Sequence, residues 1–324
     1  MSVSFWFNEK PKIVIAHSSF DIKSLVDAWD EPTECVWVKN KTDLVPALAD
    51  ADILVTMTLW EPRYLALAPQ LKLLQTMTSG VEQYDTEAFR ERGVHLASAR
   101  GVNANAVAEH AVALMFSHAR RLWEARDDQR QSFWRKPART RDERRHEVAG
   151  THVVIVGFGA IGARLATVCL ALGQTVTVVR KNVTAGTEFA VTTVADDQLP
   201  EAAGNADYLI LACPATPETR GLIDSSILRR MKPTACLINV ARGSVVVESD
   251  LIAALQQGQV GMAALDTFEQ EPLPETSPLW SMPNVLITPH AAGDTVAYES
   301  RVAAILHENV GRLEEGKPLI NQIV

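Results

Sequence analysis

A glycine-rich turn between a buried strand and an apolar helix constrains the fold of this 324-residue chain more than any other feature. The turn follows the apolar run that starts at His152, and the segment behind it predicts a helix from Ala160 to Leu172. In such a context one glycine makes a tight turn, one lets the backbone approach a pyrophosphate, and one allows a helix to pack closely on a strand. The helix N-terminus attracts negative charge. The pattern predicts a dinucleotide cradle at Gly157, Phe158, Gly159, Ala160, Ile161 and Gly162.

Short apolar runs alternate with helical patterns along the rest of the chain. Four runs form an early group, and six form a later group that starts with the run directly before the turn. They begin at Lys12, Glu34, Asp52, Leu71, His152, Thr175, Asp207, Ala235, Gly261 and Asn284. Runs that are apolar throughout are typical of strands buried on both faces of a parallel sheet. Alternation with helices indicates right-handed βαβ units around a doubly wound sheet, and the length of the chain favours two domains.

A longer helix and a charged stretch lie between the two groups of strands. The helix is predicted from Ala104 to Ala125, with one face formed by Val107, Ala111, Leu114, Met115, His118 and Leu122. The stretch from 126 to 146 contains Arg135, Lys136, Arg139, Arg141, Arg144 and Arg145. We interpret it as a solvated surface connection. A site loop or an interdomain clamp is the alternative, and DNA binding is the least favoured because no recognition motif accompanies it.

Composition excludes several classes of protein. The formal net charge of −8 would repel nucleic acid overall. The four cysteines are far apart and form no CxxC pair, so we expect buried, reduced thiols, and neither a disulfide framework nor a zinc site, at Cys35, Cys169, Cys213 and Cys236. The N-terminus lacks the basic start and apolar run of a signal peptide, and no stretch reaches the roughly 18 apolar residues of a membrane span. We therefore expect a cytoplasmic protein with no membrane partner.

Two cations follow the second strand of the dinucleotide-binding unit. Arg180 and Lys181 come directly after Val179, where NAD enzymes commonly place an acid that binds the ribose 2′-hydroxyl. A 2′-phosphate would be repelled by a carboxylate and held by a guanidinium. The alternative is a pair of solvated residues at a strand end. Because the usual acid is missing, we predict NADP as the cofactor, with NADPH preferred and NAD possible.

Three polar residues follow three further apolar strands: Arg242, Glu271 and His290. In an open parallel sheet the ligand crevice lies outside the carboxyl ends of the strands, so all three are expected at the cofactor. Hydride transfer to a 2-oxo acid needs a proton donor, for which a histidine beside a carboxylate is suited, and a cation that holds the substrate carboxylate. Each residue alone could be an ordinary surface residue. Together they predict an oxidoreductase for small 2-oxo and 2-hydroxy acids.

Longer motifs surround these residues and carry a resemblance. Asn239-Val-Ala-Arg-Gly-Ser-Val-Val, Leu265-Asp-Thr-Phe-Glu-Gln-Glu-Pro-Leu-Pro and Ile287-Thr-Pro-His-Ala-Ala-Gly are similar to signatures of the D-isomer-specific 2-hydroxyacid dehydrogenase family. With its cation pair, the chain most resembles the NADPH-dependent glyoxylate/hydroxypyruvate reductases. The resemblance implies that His290 is the acid/base, Glu271 its partner and Arg242 the substrate anchor. It implies further cofactor contacts at Arg180, Lys181, Cys213, Pro214, Thr219, Val240, Ala241, Arg242, Asp266, His290 and Gly293.

The same resemblance implies a substrate site and an architecture. Ser79, Gly80 and Val81 would hold the substrate carboxylate through backbone N–H groups, although an ordinary β-turn is the alternative; Trp60 would line the substrate pocket or be a core tryptophan. The family fold implies two Rossmann-like doubly wound domains, the first discontinuous in sequence. We expect the substrate domain at 1–102 and 293–324 and the dinucleotide-binding domain at 103–292. A homodimer, formed through the cofactor domain with the helix predicted at 104–125, is also implied.

Two other functions occur within this fold. Formate dehydrogenases have glutamine where this chain has Glu271, which argues against formate as the substrate. Transcriptional corepressors share the fold and its catalytic residues and act by dinucleotide-controlled binding of a partner protein. Their long flexible tails are missing from this compact chain, so we favour an enzyme. Rapid turnover of small 2-oxo acids would separate the two.

Overall fold

The chain forms two compact α/β units in the computed structural model, which describes residues 10–141, 143–184 and 189–324. The first unit runs from residue 10 to Asn103 and is completed by Thr295–Val324; the second is Ala104–Asp294. The prediction of two parallel-sheet units, the first discontinuous in sequence, is confirmed. The assignment of substrate and cofactor to these units stays a prediction. Residues 1–9, which entered the signal-peptide argument, lie outside the described part.

The first unit is built on a five-stranded parallel sheet. Its strands are β1 (Lys12–Ala16), β2 (Glu34–Val38), β3 (Ile53–Thr56), β4 (Leu73–Thr76) and β5 (His95–Ala97), in the order β2-β1-β3-β4-β5. The intervening helices are α1 (Lys23–Val26), α2 (Lys41–Ala47), α3 (Tyr64–Leu67) and α4 (Thr86–Arg92). The central strands β3 and β4 are buried along their whole length, as a sheet with both faces covered requires.

The second unit opens with two helices and continues into a seven-stranded sheet. The helices are α5 (Ala104–Arg120), α6 (Leu122–Arg130), α7 (Ala160–Ala171), α8 (Leu199–Asn205), α9 (Ser225–Leu228) and α10 (Glu248–Gln256). The strands are β6 (His152–Val156), β7 (Thr175–Val179), β8 (Thr192–Val194), β9 (Tyr208–Leu211), β10 (Cys236–Asn239), β11 (Met262–Leu265) and β12 (Val285–Ile287). All neighbours are parallel, in the order β12-β11-β10-β9-β6-β7-β8.

The last helix, α11 (Tyr298–Glu314), returns to the first unit. Val302 and Leu306 are fully buried and belong to the same apolar cluster as Ile13 and Ile53 of the sheet. A buried hydrogen bond between two amide side chains also joins α11 to the sheet, since Asn309 Nδ2 donates to Gln75 Oε1 at 2.9 Å. The first unit is therefore completed by residues from the end of the chain.

In the second unit the strand order reverses at β6, which lies between β7 and β9. Reversal of this kind opens a crevice outside the carboxyl ends of the strands, where dinucleotides bind in open α/β sheets. The first unit has its reversal at β1, between β2 and β3. Both units are thus doubly wound, as predicted.

The structure differs from the sequence-based expectations at three places. The short strands β5 and β8 were not predicted. The helix predicted from Ala104 to Ala125 is broken at Arg121, which has the left-handed backbone angles φ 51° and ψ 49°. The break turns Trp123 back onto its own unit, where its ring lies parallel to that of His118 at 6.4 Å. Leu122, which we expected on the apolar face, is instead 53% exposed.

All four cysteines are free thiols. Cys169, Cys213 and Cys236 are buried as predicted, whereas Cys35 is only partly buried, on a strand at the edge of its sheet. Among the described residues, no helix is both long and apolar enough to span a membrane. Over the same residues, no cluster of histidine, cysteine and acidic side chains is arranged to bind a metal ion.

The three glycines of the turn after β6 have different surroundings. Gly157 has φ 97°, a conformation that disfavours other residues, and a Cβ there would lie 2.8 Å from the backbone of Cys213. A Cβ on Gly162 would overlap the carbonyl oxygen of Gly157, because α7 approaches the turn so closely. A Cβ on Gly159 would meet nothing within 4 Å. Gly157 and Gly162 are therefore required by the fold, whereas Gly159 leaves open space beside the start of α7.

We expect Gly162→Ala to lower the free energy of unfolding by about 1–3 kcal/mol through overpacking, although alanine is the better helix former. Gly159→Ala is the matched control at the same turn and should stay within about 1 kcal/mol of the parent, since only its N-cap preference changes. Urea unfolding of the three proteins measures both values. Equal losses in the two variants would contradict the close helix–turn contact.

Candidate functional site

The predicted cofactor residues lie in loops that follow β6, β7, β9, β10, β11 and β12, at one edge of the second unit's sheet. The turn Gly157–Gly162 starts α7, whose N-terminus has no side-chain cap. Its first-turn N–H groups are therefore available to an anion. With the open space at Gly159, this junction fits the pyrophosphate of a dinucleotide.

The two cations after β7 have different surroundings. The half-buried Arg180 lies with its guanidinium 5.5 Å from the ring centroid of Phe158, a cation–π contact that orients it beside the glycine turn. It forms no ion pair within the part of the chain that the structure describes. Lys181 is more exposed and pairs with Glu218 at 3.5 Å. Among the described residues, Arg180 is thus the cation of the two that no carboxylate neutralises.

Thr219 forms hydrogen bonds that hold the loop after β9 in shape. Its hydroxyl donates to the Pro214 carbonyl at 2.7 Å and accepts from the Thr216 N–H at the same distance. Cys213 is buried against the glycine turn, and burial raises the pKa of its thiol to about 11. This cysteine is therefore a neutral packing residue at physiological pH. In the same loop, the pKa of Glu218 is lowered by a hydrogen bond from the Thr216 hydroxyl, by one from the Glu218 backbone N–H and by the charge of Lys181.

The loop after β10 presents Arg242 to solvent. Val240 and Ala241 are buried, and the buried Asn239 shapes the turn by accepting from the Ala241 N–H and donating to the Arg242 carbonyl, at 3.0 and 3.1 Å. Arg242 is exposed and has no ion-pair partner among the described residues. Nη1 of Arg242 donates one hydrogen bond to the Ala241 carbonyl at 2.8 Å, and its remaining N–H groups are available to a carboxylate or carbonyl oxygen. Sequence reasoning missed Asn239, although an asparagine at a strand end is a turn signal.

His290 and Glu271 are brought together directly. His290 Nδ1 lies 2.7 Å from Glu271 Oε2, while Glu271 Oε1 accepts from the Phe268 N–H at 3.0 Å. Because a carboxylate only accepts, Nδ1 carries the hydrogen in this contact. Nε2 of the ring then faces outward without a partner in the described chain. The pair is arranged as a carboxylate-oriented imidazole, the form suited to proton transfer at Nε2.

An apolar cavity of about 450 Å³ borders this pair. Its walls include Phe268, Pro272, Leu273, Trp280, Ile287 and Pro289, together with Glu271 and His290. Apolar walls with a few polar groups are typical of small-molecule sites. Arg242 does not line this cavity.

Asp266 is almost fully buried, with 1% exposure, at the end of β11. It accepts hydrogen bonds from the backbone N–H groups of Ala291 and Ala292, each at 2.9 Å. These residues follow His290, so the carboxylate holds the turn that carries the imidazole. Gly293 comes next in the same turn. The implied contact of Asp266 with a nicotinamide amide stays a prediction.

The predicted carboxylate loop belongs to the first unit and follows β4. The backbone N–H groups of Ser79, Gly80 and Val81 donate to no protein acceptor among the residues that the structure describes. Thr78 supports the loop from within, since its hydroxyl donates to the Gly80 carbonyl at 2.6 Å. Three neighbouring unpaired N–H groups form a suitable cradle for a carboxylate.

Trp60 lies in an aromatic cluster of the first unit. Its ring centroid is 5.3 Å from that of Tyr84 and 5.7 Å from that of Phe89. The indole nitrogen is buried and has no hydrogen-bond partner in the described chain. Of the two interpretations of Trp60, these contacts favour a role in the packing of its own unit.

Comparison with known proteins identifies the family to which this chain is similar. A model of the NAD-binding domain of D-isomer specific 2-hydroxyacid dehydrogenases matches residues 112–292. The chain is 32% identical over 295 residues to a glyoxylate reductase of Korarchaeum cryptofilum, with 88% of this chain and 87% of the relative covered. It is also 32% identical to a D-3-phosphoglycerate dehydrogenase of Mycobacterium leprae; that match covers 89% of this chain but only 54%, about half, of the relative.

Solved structures agree with this result. A D-isomer specific 2-hydroxyacid dehydrogenase family protein from Aeromonas salmonicida superposes with a TM-score of 0.85 at 28% identity, covering 98% of this chain and 99% of the other. An NADPH-dependent glyoxylate/hydroxypyruvate reductase from Sinorhizobium meliloti, solved with citrate, superposes with a TM-score of 0.79 at 25% identity, covering 97% and 98%. These relatives give no support to the corepressor alternative. The chain belongs to the D-isomer specific 2-hydroxyacid dehydrogenase family.

Proposed function

We propose that the protein reduces small 2-oxo acids to 2-hydroxy acids with NADPH as its preferred cofactor, as a glyoxylate/hydroxypyruvate reductase or a broader 2-oxo acid reductase. The observation that carries the proposal is the 2.7 Å contact between His290 and Glu271, at the same sheet edge as the glycine turn and the exposed Arg242. The relatives named above, a glyoxylate reductase and an NADPH-dependent glyoxylate/hydroxypyruvate reductase, support the substrate class.

In this proposal each residue has a defined task. A bound nicotinamide dinucleotide supplies the hydride that adds to the substrate's carbonyl carbon. Protonated His290 gives its Nε2 proton to the carbonyl oxygen as that oxygen gains negative charge, and Glu271 orients the ring through its contact with Nδ1. The guanidinium of Arg242 binds substrate oxygens. The unpaired N–H groups of Ser79, Gly80 and Val81 are proposed to bind a substrate carboxylate.

The proton-donor role is tested by His290→Ala in an assay with a panel of 2-oxo acids. Turnover should fall by roughly 10²- to 10⁴-fold, the usual contribution of a general acid, while the dissociation constant of NADPH changes little. His307→Ala is a matched control, because His307 forms another exposed pair with a glutamate, Glu31, at 3.1 Å. It should keep parental turnover. Near-normal turnover in His290→Ala would remove His290 from the reaction.

The cofactor preference is proposed to depend on Arg180. A 2′-phosphate brings about two negative charges, and a hydrogen bond to such a group contributes roughly 1.5–3 kcal/mol. At about 1.4 kcal/mol per factor of ten, this predicts that NADPH is preferred roughly ten- to over a hundredfold. Lys181 contributes less in this proposal, since Glu218 already neutralises it at 3.5 Å.

Arg180→Asp should therefore lower kcat/KM for NADPH much more than kcat/KM for NADH, because it removes an anchor and adds repulsion. Arg229→Asp, at the exposed end of α9, is the charge-matched control and should leave the ratio of the two values unchanged. Measurement of kcat/KM with both cofactors in the three proteins decides the matter. A parent enzyme that prefers NADH, or equal losses with both cofactors, would contradict the assignment.

We propose a homodimer as well, but with a different surface from the one expected first. The apolar face of α5 packs on α7 and the sheet of its own unit, so it is not free to meet a second copy. The exposed apolar side chains lie beyond it: Leu122 is 53%, Phe133 56% and Trp134 92% exposed. Such a group of large apolar side chains is typical of an interface.

Light scattering at micromolar concentration should give twice the 35.5 kDa mass of one chain. Trp134→Glu should shift the mass toward one chain, because a charge would be buried in the interface. Trp280→Glu, at another exposed tryptophan, should leave the mass unchanged. A parent mass of one chain would refute the dimer.

A further inference from the structure

The proton donor sits in a strained turn. His290 has φ 53°, in the left-handed region that residues other than glycine rarely adopt. Such a conformation persists when surrounding contacts determine it more strongly than the local backbone preference does. The orientation of the His290 ring therefore depends on whatever holds the turn.

Asp266 holds the turn from both sides of His290. On the far side it accepts from the Ala291 and Ala292 N–H groups. On the near side the Thr288 hydroxyl donates to Asp266 Oδ1 at 2.6 Å. Because this carboxylate is buried, its acceptor sites are filled by the turn and not by solvent.

A third residue completes the network from helix α5. His110 Nε2 lies 3.0 Å from the Thr288 hydroxyl oxygen and 3.6 Å from Asp266 Oδ1. The single hydrogen of the Thr288 hydroxyl is given to the carboxylate, so the oxygen must accept from His110. Nε2 of His110 therefore carries a hydrogen. Within the described chain His110 is the only basic side chain close to the buried Asp266 carboxylate.

We propose that His110 is a positioning residue for the reaction: it acts through Thr288 and Asp266 to hold the turn that orients His290. It touches neither substrate nor proton donor, so it is not a catalytic residue. Loss of its N–H leaves Thr288 free to rotate away from Asp266, and the turn then loses a hydrogen bond on its near side. The proposal rests on the proposed role of His290.

Two pairs of variants test the N–H link. His110→Leu removes the donor, whereas His110→Gln keeps an N–H at about the position of Nε2. Thr288→Val removes the hydroxyl, whereas Thr288→Ser keeps it. We expect kcat with a 2-oxo acid to fall roughly 10- to 100-fold in His110→Leu and Thr288→Val, since small misplacement of a reacting group has effects of that size. The KM values should stay within about twofold, and His110→Gln and Thr288→Ser should recover most of kcat.

The double variant His110→Leu/Thr288→Val distinguishes a shared link from two separate effects. If both residues act through one hydrogen-bond chain, the double variant loses no more than the worse single variant. Glu109→Gln, at the exposed neighbour of His110, should have parental kcat. Thermal unfolding of every variant identifies any that is not folded. If His110→Leu fails to fold, the Thr288 pair decides alone.

The proposal is overturned if folded His110→Leu has parental kcat, if His110→Gln is as slow as His110→Leu, or if the losses of the two single variants multiply. His290→Ala is measured in the same assay. A loss in His290→Ala without a loss in His110→Leu rejects the positioning role alone. Parental turnover in His290→Ala rejects the proposed function instead.

Discussion

The parallel direction of every strand in the second unit is the constraint on which the candidate site depends. Parallel strands end at the same edge, so the loops after β6, β7, β9, β10, β11 and β12 meet there although they are distant in sequence. The glycine turn, the cations, Arg242 and the His290–Glu271 pair are all carried by these loops. One antiparallel strand would place its loop at the opposite edge.

Sheet direction brings the loops together, but side chains within the loops determine their shape. Asn239, Thr219 and Asp266 each bond to the backbone of a loop that carries predicted site residues. Short side chains with oxygen acceptors suit this task, because they compete with regular backbone hydrogen bonding where the strand has ended. The parallel sheet therefore determines where the loops of the site lie, and local hydrogen bonds determine the conformation of each loop.

Much of the fold was predictable from sequence because the central strands are apolar throughout and separated by helical patterns. The strands β5 and β8 were missed, since each has only three residues and one begins with His95 while the other contains two threonines. The end of α5 was missed because nothing in the apolar periodicity indicates that Arg121 adopts a left-handed conformation.

In the site, the positions of Glu271 and His290 after apolar strands predicted that both lie at the crevice, and the family resemblance implied that they pair; the structure places them in direct contact. The contact between His110 and Thr288 could not be predicted, because it depends on how helix α5 lies against the strand ends. Periodicity tells which face of a helix is apolar, but not which polar atom on its border meets a partner far along the chain.

The return of α11 to the first unit has a consequence for the order in which the chain folds. As the protein is synthesised, the sheet of the first unit leaves the ribosome long before the helix that covers one of its faces. Until Tyr298–Glu314 emerges, Ile13, Ile53 and their neighbours lack part of the cover that they have in the folded unit. The second unit, by contrast, is continuous and has all its parts once Asp294 is made. The unit whose sheet is translated first is thus the one completed last. Until it is complete, its exposed apolar surface can associate with other chains.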